Sequence, residues 1–379
     1  MNVSRREQRF ARRICVPFIF AFAAVFSLTG CVEGADVTQK DTASVRVPTI
    51  GSHTAHLAGG EYINSIAWSP DSHYLAASDR IGHQLYIWDS DTGALVAKTP
   101  NSAAVNTGLA FTRDGQFVLN AVSDASGLAA FGAFDSHTGT HKRDVSVTDP
   151  SVRILARFSA KAILPSSDGK HVVVLHANGL SYGVYDIGLW QPTAIVPLNI
   201  RSPVLSAVLS PDGKRLAIGC YNGEVQLWDI AEGKKIEAFH AGPENATTTL
   251  FGSESHIDTV GFSPDGKYLA TGAEVNRNTY GEQLRLWDSG TLALVRSFNT
   301  GVNVDVTSLS FSPNGKLIAT IAEGDGPRPL RIWDVTAASE LKEITTHTIT
   351  TVVAFSPDGK KLAYGGEGGV YVLDISYAQ

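Results

Sequence analysis

Residues 210–229 read SPDGKRLAIGCYNGEVQLWD and contain two reversal signals, each followed by a short apolar run. In the first signal, Ser210-Pro211-Asp212-Gly213, proline presets its φ and glycine reaches a positive φ at little cost, so we predict a turn. Arg215–Cys220 and Glu224–Asp229 have the composition of strands. The Asn222-Gly223 pair between them favours a type I′ turn. The stretch therefore predicts a β-hairpin that cannot bury both of its faces alone.

Six other segments share this outline. The turn signals recur every 43 to 54 residues, and they are centred on Asp71, Asp114, Asp168, Asp212, Asp265, Asn314 and Asp358. Each returning strand ends in an aromatic or apolar residue followed by aspartate: Trp88-Asp89, Phe134-Asp135, Tyr185-Asp186, Trp228-Asp229, Trp287-Asp288, Trp333-Asp334 and Leu373-Asp374. A repeat of this length is typical of a β-propeller, in which each repeat supplies one blade.

The repeated motif resembles that of the WD40 family, because SPDG is followed by a strand and then by Leu-Trp-Asp or Ile-Trp-Asp. The resemblance covers residues 50–376 and implies an all-β, seven-bladed β-propeller that offers a rigid face to protein partners. The Gly-His pair that usually precedes each repeat is missing, although His347 lies near that position. The family's hydrogen-bond network of His, Ser or Thr, Asp and Trp is therefore not expected intact.

The resemblance also implies how the strands form blades, because the family's repeat ends at the third of four strands. Outer strands are expected at residues 94–98, 235–239, 292–298 and 340–344, and inner strands at 63–68, 107–111, 205–209, 307–311 and 351–355. Only five residues follow Asp374, too few for an outer strand of the seventh blade. Residues 52–57, SHTAHL, have no blade of their own. We therefore predict that this N-terminal strand closes the last blade.

A basic and then apolar segment precedes the repeats. Five arginines within residues 5–13 are followed by apolar residues 14–28 and by Leu28-Thr29-Gly30-Cys31. This arrangement resembles a bacterial lipoprotein signal, which is cleaved before the cysteine after its thiol has been lipidated. The resemblance implies a signal peptide at residues 1–30, lipid attachment at Cys31, a flexible polar tether at 31–48 and the propeller at 49–379.

Two alternatives exist for the N-terminal segment. A transmembrane helix needs about 20 apolar residues, whereas this segment has 15 with Pro17 among them. The pairs Arg5-Arg6 and Arg12-Arg13 suggest twin-arginine export, but neither is followed by the usual Phe-Leu. Val32, by resemblance to enterobacterial lipoproteins, implies release from the inner membrane. We therefore expect a lipid-anchored cell-envelope protein, in the outer membrane if the host has one, that faces the periplasm or the surface.

The charge balance limits the classes of partner, and the cysteine content limits the chemistry of the thiols. The first 30 residues hold five of the 31 basic and one of the 37 acidic residues, which leaves 26 against 36 and a formal net charge of −10. This balance argues against a phosphate-binding surface and so against nucleic acid. Cys220 is then the one free thiol, and at a strand end we interpret it as a buried apolar residue. The sequence has no Cys-x-x-Cys-His motif for covalent haem.

Irregular segments are expected on one face of the propeller, where the loops between second and third strands and between blades lie. They span residues 148–159, 240–258, 274–283 and 323–329. Because loops on a rigid scaffold carry most binding residues, we interpret this irregular face as the candidate binding face. Its candidate residues are Arg153, Arg157, Lys161, His240, His256, Asp258, Arg277, Tyr280 and Arg328.

These residues permit several kinds of chemistry. His240 and His256, with Glu244, Glu254 and Asp258, are metal-ligand types, but the histidines lie 16 residues apart without a short ligand spacing. No metal or other cofactor is therefore expected. The basic residues between positions 153 and 161 either clamp an acidic partner or form a solvated blade edge. Arg277, Tyr280 and Arg328 are of the residue types that are enriched in interface hot spots.

The tryptophans fall into two groups. Trp68, Trp88, Trp228, Trp287 and Trp333 are interpreted as core residues at one repeat position, rather than as a sugar-binding platform. Trp190 follows the degenerate Tyr185-Asp186 pair, and it is either exposed or replaces the missing tryptophan of that blade.

Three function classes remain. The favoured one is a non-enzymatic module, monomeric, that scaffolds or binds other envelope proteins. The alternative is a hydrolase that resembles bacterial propeller lactonases and acts on a small molecule at the channel mouth, although those relatives usually have a YVTN-like strand after SPDGK. The third is a quinone or metal redox enzyme, for which no ligand spacing is present. Fold alone does not choose among them.

Overall fold

The computed structural model describes residues 49–99, 108–123, 129–146, 162–176, 181–242, 248–249, 252–253, 255–275, 280–281, 283–302, 304–323, 329–346 and 348–376. Their strands form seven four-stranded antiparallel sheets and two two-stranded ribbons. The innermost strands contact one another in cyclic order, from the first blade to the seventh and back to the first. This part of the chain is therefore an all-β, seven-bladed β-propeller. No helix within it has the length and apolar character needed to cross a membrane.

Blades 1 to 6 each run from their innermost to their outermost strand along the chain. The N-terminal strand is β1 Thr49–Leu57. Blade 1 has β2 Ile63–Trp68, β3 Tyr74–Asp79, β4 Leu85–Asp89 and β5 Leu95–Lys98. Blade 2 has β6 Leu109–Phe111, β7 Phe117–Ser123, β8 Ala129–Asp135 and β9 His141–Ser146. Blade 3 has β10 Ala162–Pro165, β11 His171–Leu175, β12 Ser181–Asp186 and β13 Gln191–Pro197, and blade 4 has β14 Val204–Leu209, β15 Arg215–Cys220, β16 Glu224–Asp229 and β17 Lys234–His240.

The second half continues in the same way. One ribbon has β18 Thr248–Thr249 and β19 Gly252–Ser253. Blade 5 has β20 Ser255–Phe262, β21 Tyr268–Val275, β23 Leu284–Asp288 and β24 Leu294–Phe298, and its neighbouring ribbon pairs β22 Tyr280–Gly281 with β25 Gly301–Val302. Blade 6 has β26 Asp305–Phe311, β27 Leu317–Glu323, β28 Leu330–Asp334 and β29 Ser339–Ile344. Blade 7 has β30 Thr350–Phe355, β31 Lys361–Gly366 and β32 Gly369–Ser376, with β1 as its fourth strand.

The turn between the first and second strands is held by the same side-chain contacts in six blades. In blade 4, Ser210 Oγ donates to Asp212 at 2.5 Å and accepts from the backbone N–H of Arg215 at 2.9 Å. Equivalent contacts occur in blades 1, 2, 5, 6 and 7. The hydrogen bond from serine is the largest cause that holds the pKa of Asp212 below its ordinary 3.8. A hydroxyl and a carboxylate or amide two residues apart therefore recur, because together they form the hydrogen bonds that hold the turn.

The aspartate of each Trp-Asp pair holds the next turn in blades 1 to 6. Asp89 accepts from the backbone N–H groups of Asp91 and Thr92 at 3.0 and 2.8 Å. The equivalent aspartates accept from both positions in blades 2, 5 and 6, and from the N–H three residues later in blades 3 and 4. In these six blades, a bulge shifts the pairing of the third and fourth strands immediately before the residue that precedes this aspartate. A bulge increases the local twist. The Trp-Asp position therefore marks the point where each blade twists and reverses.

The N-terminal strand completes the last blade, as predicted. β1 pairs antiparallel with β32, from Thr49 opposite Ser376 to Leu57 opposite Val370, so it begins three residues before the predicted segment 52–57. Leu57 is buried with neighbouring side chains of blades 7 and 1. The two ends of the described chain therefore lie in one sheet.

Asp79 attaches this closure to blade 1. Its side chain is almost fully buried. The carboxylate accepts from the backbone N–H groups of Ile81 and Gly82 in its own loop, at 2.9 and 3.0 Å. It also accepts from those of Glu61 and Tyr62, each at 3.2 Å. The segment between β1 and β2 is thus fixed by one buried carboxylate, which satisfies four donors.

The turn at Asn222-Gly223 differs from the expected type I′ turn. That type needs a positive φ at both central residues, but only Gly223 has one, with φ 79°. The N–H of Gly223 donates to the carbonyl of Cys220 at 3.2 Å, and the N–H of Tyr221 donates to the carbonyl of Pro203 in the segment before β14 at 2.8 Å. Tyr221 therefore lies in the turn between the second and third strands of blade 4, and its backbone contacts the segment that precedes the blade.

Trp68 is not at the repeat position of the other four blade tryptophans, contrary to the sequence interpretation. It ends the innermost strand of blade 1, and its Nε1–H donates to the carbonyl of Ala354 in blade 7 at 3.1 Å. The other four lie at the ends of third strands and are buried, which confirms them as core residues.

Trp190 does not replace the missing tryptophan of blade 3. It lies in the turn after β12, half-buried, with its ring edge-to-face to Phe117 at 5.5 Å between centroids. Tyr185 occupies the tryptophan position instead, and its hydroxyl lies 3.0 Å from Nε2 of the buried His176.

Part of the family's hydrogen-bond network is retained. Trp287 Nε1 donates to Thr271 Oγ1 at 3.0 Å in blade 5, and Trp333 donates to Thr320 at 2.9 Å in blade 6. Several predicted strand boundaries are wrong by one or two residues. Leu292, with φ 59°, lies in the turn before β24, and Asp374 lies within β32 rather than at its end.

Removal of β1 tests the closure. A chain that begins at Gly59 lacks this strand, whereas one that begins at Pro48 keeps it. We expect the shorter chain to lose about 3 kcal/mol or more of unfolding free energy, since several ladder hydrogen bonds and two buried apolar side chains are lost. It should also aggregate through its open strand edge. Thermal and urea unfolding with light scattering measure this, and equal stability of the two chains would refute closure by β1.

Candidate functional site

Three of the nine candidate residues have described side chains. His240 ends β17, and His256 and Asp258 lie near the start of β20, so all three reach the irregular face. Tyr280 lies in β22 opposite Val302, and its side chain is outside the described part. The remaining candidates lie outside the described residues: Arg153, Arg157, Lys161, Arg277 and Arg328.

A stacked pair of rings joins blades 4 and 5 on this face. Tyr221, in the turn after β15, stacks on His256 of β20 with 3.5 Å between ring centroids and 26° between planes. The tyrosine remains 40% exposed. Its backbone is fixed by the bond to Pro203, and the next residue, Asn222, donates its N–H to Ser202 Oγ at 3.0 Å. Tyr221 is therefore an exposed aromatic side chain on a rigid support.

Glu224 begins a row of polar contacts beside this stack. Its carboxylate accepts from Asn222 Nδ2 at 3.3 Å and from Gln226 Nε2 at 2.9 Å. Gln226 Oε1 in turn accepts from Nε1 of the buried Trp228 at 3.2 Å. These side chains all lie along β16 and its turn. The row links the surface carboxylate to the blade core and so fixes its orientation.

His240 lies directly across from Glu224 in the β16–β17 pairing. Desolvation lowers the pKa of His240 below its ordinary 6.5, and the charge of Arg285 lowers it further, while the charge of Glu224 opposes both. Arg285 is itself buried, and its guanidinium donates to the carbonyls of Ala241 and Gly242 at 3.4 and 2.8 Å. At neutral pH, His240 is therefore mostly uncharged, between one carboxylate and one guanidinium.

The described residues show no metal cluster: none of their His, Cys, Asp and Glu side chains form a group of three or more suited to hold an ion. Glu244 and Glu254 lie outside the described residues. Cys220, next to Tyr221, is fully buried. Burial, and then the charge of Glu224, raises the pKa of its thiol to about 12, so the thiol stays neutral. The interpretation of Cys220 as an apolar core residue is confirmed.

The structure adds three residues to this site that the sequence analysis did not select. Tyr221 lies in the predicted hairpin turn and Glu224 in a predicted strand, while Arg285 was not singled out. The usable signal was the position of Tyr221 immediately before Asn-Gly at the end of β15, which places a large aromatic at the tip of a short loop. The pairing with His256 was not readable, because it depends on how two blades meet.

The geometry defines a class: a seven-bladed propeller with regular turns on one face and with a tyrosine, histidines and an arginine on the other. Family models agree with this. The model described as "WD domain, G-beta repeat" matches residues 48–89, 245–288 and 293–326, and "Anaphase-promoting complex subunit 4 WD40 domain" matches residues 195–254. The chain belongs to the WD40-repeat β-propellers, whose members generally bind other proteins.

Similar proteins come from eukaryotes and from a cyanobacterium. The chain is 26% identical to "WD repeat-containing protein slp1" of Schizosaccharomyces pombe, over 80% of this chain and 56% of that protein. It is 22% identical to "Pre-mRNA-processing factor 19 homolog 2" of Arabidopsis thaliana, over 84% and 55%. It is 24% identical to "Uncharacterized WD repeat-containing protein sll1491" of Synechocystis, over 51% of each chain. The chain thus spans about half the length of these relatives.

The charge balance at His240 predicts a defined titration change. Glu224→Gln removes the nearby negative charge that raises the pKa of His240, so we expect this pKa to fall further below 6.5. Proton NMR titration of the histidine ring measures it. Glu343→Gln, on β29 of blade 6, is the matched control and should leave His240 unchanged. An unchanged or raised pKa of His240 in Glu224→Gln would contradict the geometry.

Proposed function

We propose that the protein is a lipid-anchored propeller of the bacterial cell envelope that binds other proteins through its irregular face. The exposed Tyr221, stacked on His256, is the observation that supports this most strongly. Tyrosine offers a large amphipathic surface at low entropic cost, and interface hot spots are enriched in it. Its backbone is already fixed, so binding would order little additional chain.

Other features of the same face support protein binding. Ile81 follows β3 and is 57% exposed, and Ile349 precedes β30 and is 41% exposed. Both are large apolar side chains at the end of the propeller that carries Tyr221. Polar and charged groups follow the tyrosine: Asn222, the next residue, donates to Glu224, and Glu224 lies opposite His240 in the strand pairing. An aromatic anchor with a polar rim is the usual arrangement of a protein interface. One matching family model is also named for a subunit of a multi-protein complex.

The N-terminal sequence supports the envelope location. Leu28-Thr29-Gly30-Cys31 has the form of a lipoprotein box, and residues 32–48 are polar. Fully extended, this tether would span roughly 50 to 60 Å. That reach lets the propeller meet partners well away from the membrane to which Cys31 is attached.

Site-specific photocrosslinking tests the binding face. A benzophenone amino acid at Tyr221 in intact cells should give discrete adducts with other proteins. The same amino acid at Leu95, which is 50% exposed on an outer strand, is the matched control and should give few. Adducts that are absent from both positions, or equal at both, would contradict the proposed face.

Processing of the N-terminus tests the anchor. Cys31→Ala should leave the precursor uncleaved by the lipoprotein peptidase, because the lipidated thiol is required for that cut. Gel mobility and labelling with a fatty-acid analogue measure it. A variant that is processed normally and still extracts with the membrane fraction would refute lipid attachment at Cys31, without bearing on the binding face.

A further inference from the structure

A cavity of about 670 Å³ opens at the central channel on the face of the regular turns, opposite the Tyr221 surface. This volume is in the range of small-molecule sites. All seven turns that surround this mouth are described. In five blades the residue after the turn serine is proline: Pro70, Pro211, Pro264, Pro313 and Pro357. Blades 2 and 3 depart from this pattern with Arg113 and Ser167.

These two departures lie side by side in the ring of turns. In blades 2 to 7 the turn glycine faces the residue at the proline position of the blade before it. A methyl group added at Gly315 would lie 3.6 Å from Cδ of Pro264, and one at Gly169 would lie 3.3 Å from Cβ of Arg113. Arg113 and Ser167 therefore form one continuous polar segment in a ring of turns whose other five members have proline at this position.

Blade 3 also differs from the other blades in the contacts of its turn hydroxyl, Ser166 Oγ. In the other six blades the turn hydroxyl is bonded to the carboxylate or amide two residues later and to a backbone N–H. In blade 3, Asp168 accepts from the N–H of Lys170 at 2.8 Å, as its equivalents do in the other blades, and in addition from the N–H of His171 at 3.1 Å. His171 Nδ1 also lies 2.7 Å from the other carboxylate oxygen of Asp168. Ser166 Oγ is thereby turned towards blade 4, and a methyl group added at Gly213 would lie 2.8 Å from it and 3.1 Å from Ser167 Oγ.

Apart from Ser210, the remainder of the cavity wall consists of apolar residues. It includes Trp68, Phe111, Leu209 and four prolines. Among the described residues that line the cavity, Arg113 alone is ionisable, and no hydrogen bond or ion pair of its guanidinium occurs within the described part of the chain. A guanidinium matches a carboxylate with two parallel hydrogen bonds, and adjacent serine hydroxyls add further donors. The apolar wall lies next to these donors.

We infer that this mouth is a second binding site, specific for a ligand that carries a carboxylate on an apolar body. Arg113 holds the carboxylate, Ser166 and Ser167 donate to it, and the ring of Trp68, Phe111 and prolines holds the apolar body. A free organic acid and a peptide C-terminus that ends in an apolar residue share this chemistry. The site lies on the other face from Tyr221, so its failure leaves the proposed protein-binding face unaffected.

Titration calorimetry and ligand-observed NMR with 4-phenylbutyrate and with N-acetyl-Ala-Ala-Phe test the inference. At least one of these acids should bind below about 10 mM, and its neutral amide should bind at least about tenfold more weakly, as expected for loss of a charge-assisted hydrogen bond. Binding of 4-phenylbutyrate alone identifies a free acid as the source, and binding of the peptide identifies a C-terminus. No binding by either acid, or equal binding by acid and amide, overturns the inference.

Arg113→Pro is the decisive variant, because it restores the residue found at this position in five other blades and should fold. It should weaken acid binding at least about tenfold and leave the weak binding of the amide unchanged. Arg143→Gln, on the outer strand β9 of the same blade, is the matched control and should bind like the unaltered protein. Undiminished binding by Arg113→Pro, or an equal loss in Arg143→Gln, overturns the assignment to this mouth.

Discussion

The backbone hydrogen bonds between β1 and β32 make a ring of what would otherwise be a curved row of blades. Each blade of a propeller contacts mainly its two neighbours, so an open row would leave one blade with an unpaired edge and an unburied face. Here the first described strand completes the last blade, and Asp79 attaches the chain that follows to blade 1. Opening the ring at this point therefore breaks contacts in two blades at once.

A closed ring brings residues that are far apart in sequence to common positions. On one face, seven equivalent turns meet around the channel, and a change in two neighbouring turns is enough to give that mouth a polar segment. On the other face, the meeting of blades 4 and 5 places His256 on Tyr221. In both cases the repeated blade supplies the rigid support, and departures from the repeat supply the chemistry. This is how a repetitive fold obtains individual binding surfaces.

The fold was readable from the sequence because its signals are local. Ser210 and Asp212 satisfy one turn, Asp229 caps the next, and both patterns recur at blade spacing, so seven blades and the closing strand were predictable. The error at the second turn has a cause outside the local sequence. The turn after Cys220 depends on Pro203 from the preceding segment, and Asn-Gly alone could not indicate this.

The candidate sites were only partly readable, because they depend on contacts between blades. His240, His256 and Asp258 were selected from an irregular insertion, but their neighbours Tyr221, Glu224 and Arg285 lie in regular repeat positions. The substitution of Arg113 for proline was visible in the sequence. The binding role of Arg113 could not be predicted, since it also depends on Ser166 of the next blade, whose hydroxyl lacks the usual turn contacts.

Native-state hydrogen exchange followed by mass spectrometry tests most directly whether the β1–β32 pairing controls the stability of the ring. If it does, amides of β1 and β32 should exchange with the same opening free energy as those of the buried strands β15 and β27, and they should share the same dependence on low denaturant concentrations. Exchange of β1 at a much lower free energy, while the seven inner hairpins stay protected, would contradict this and would show that the ring remains folded when its last blade opens.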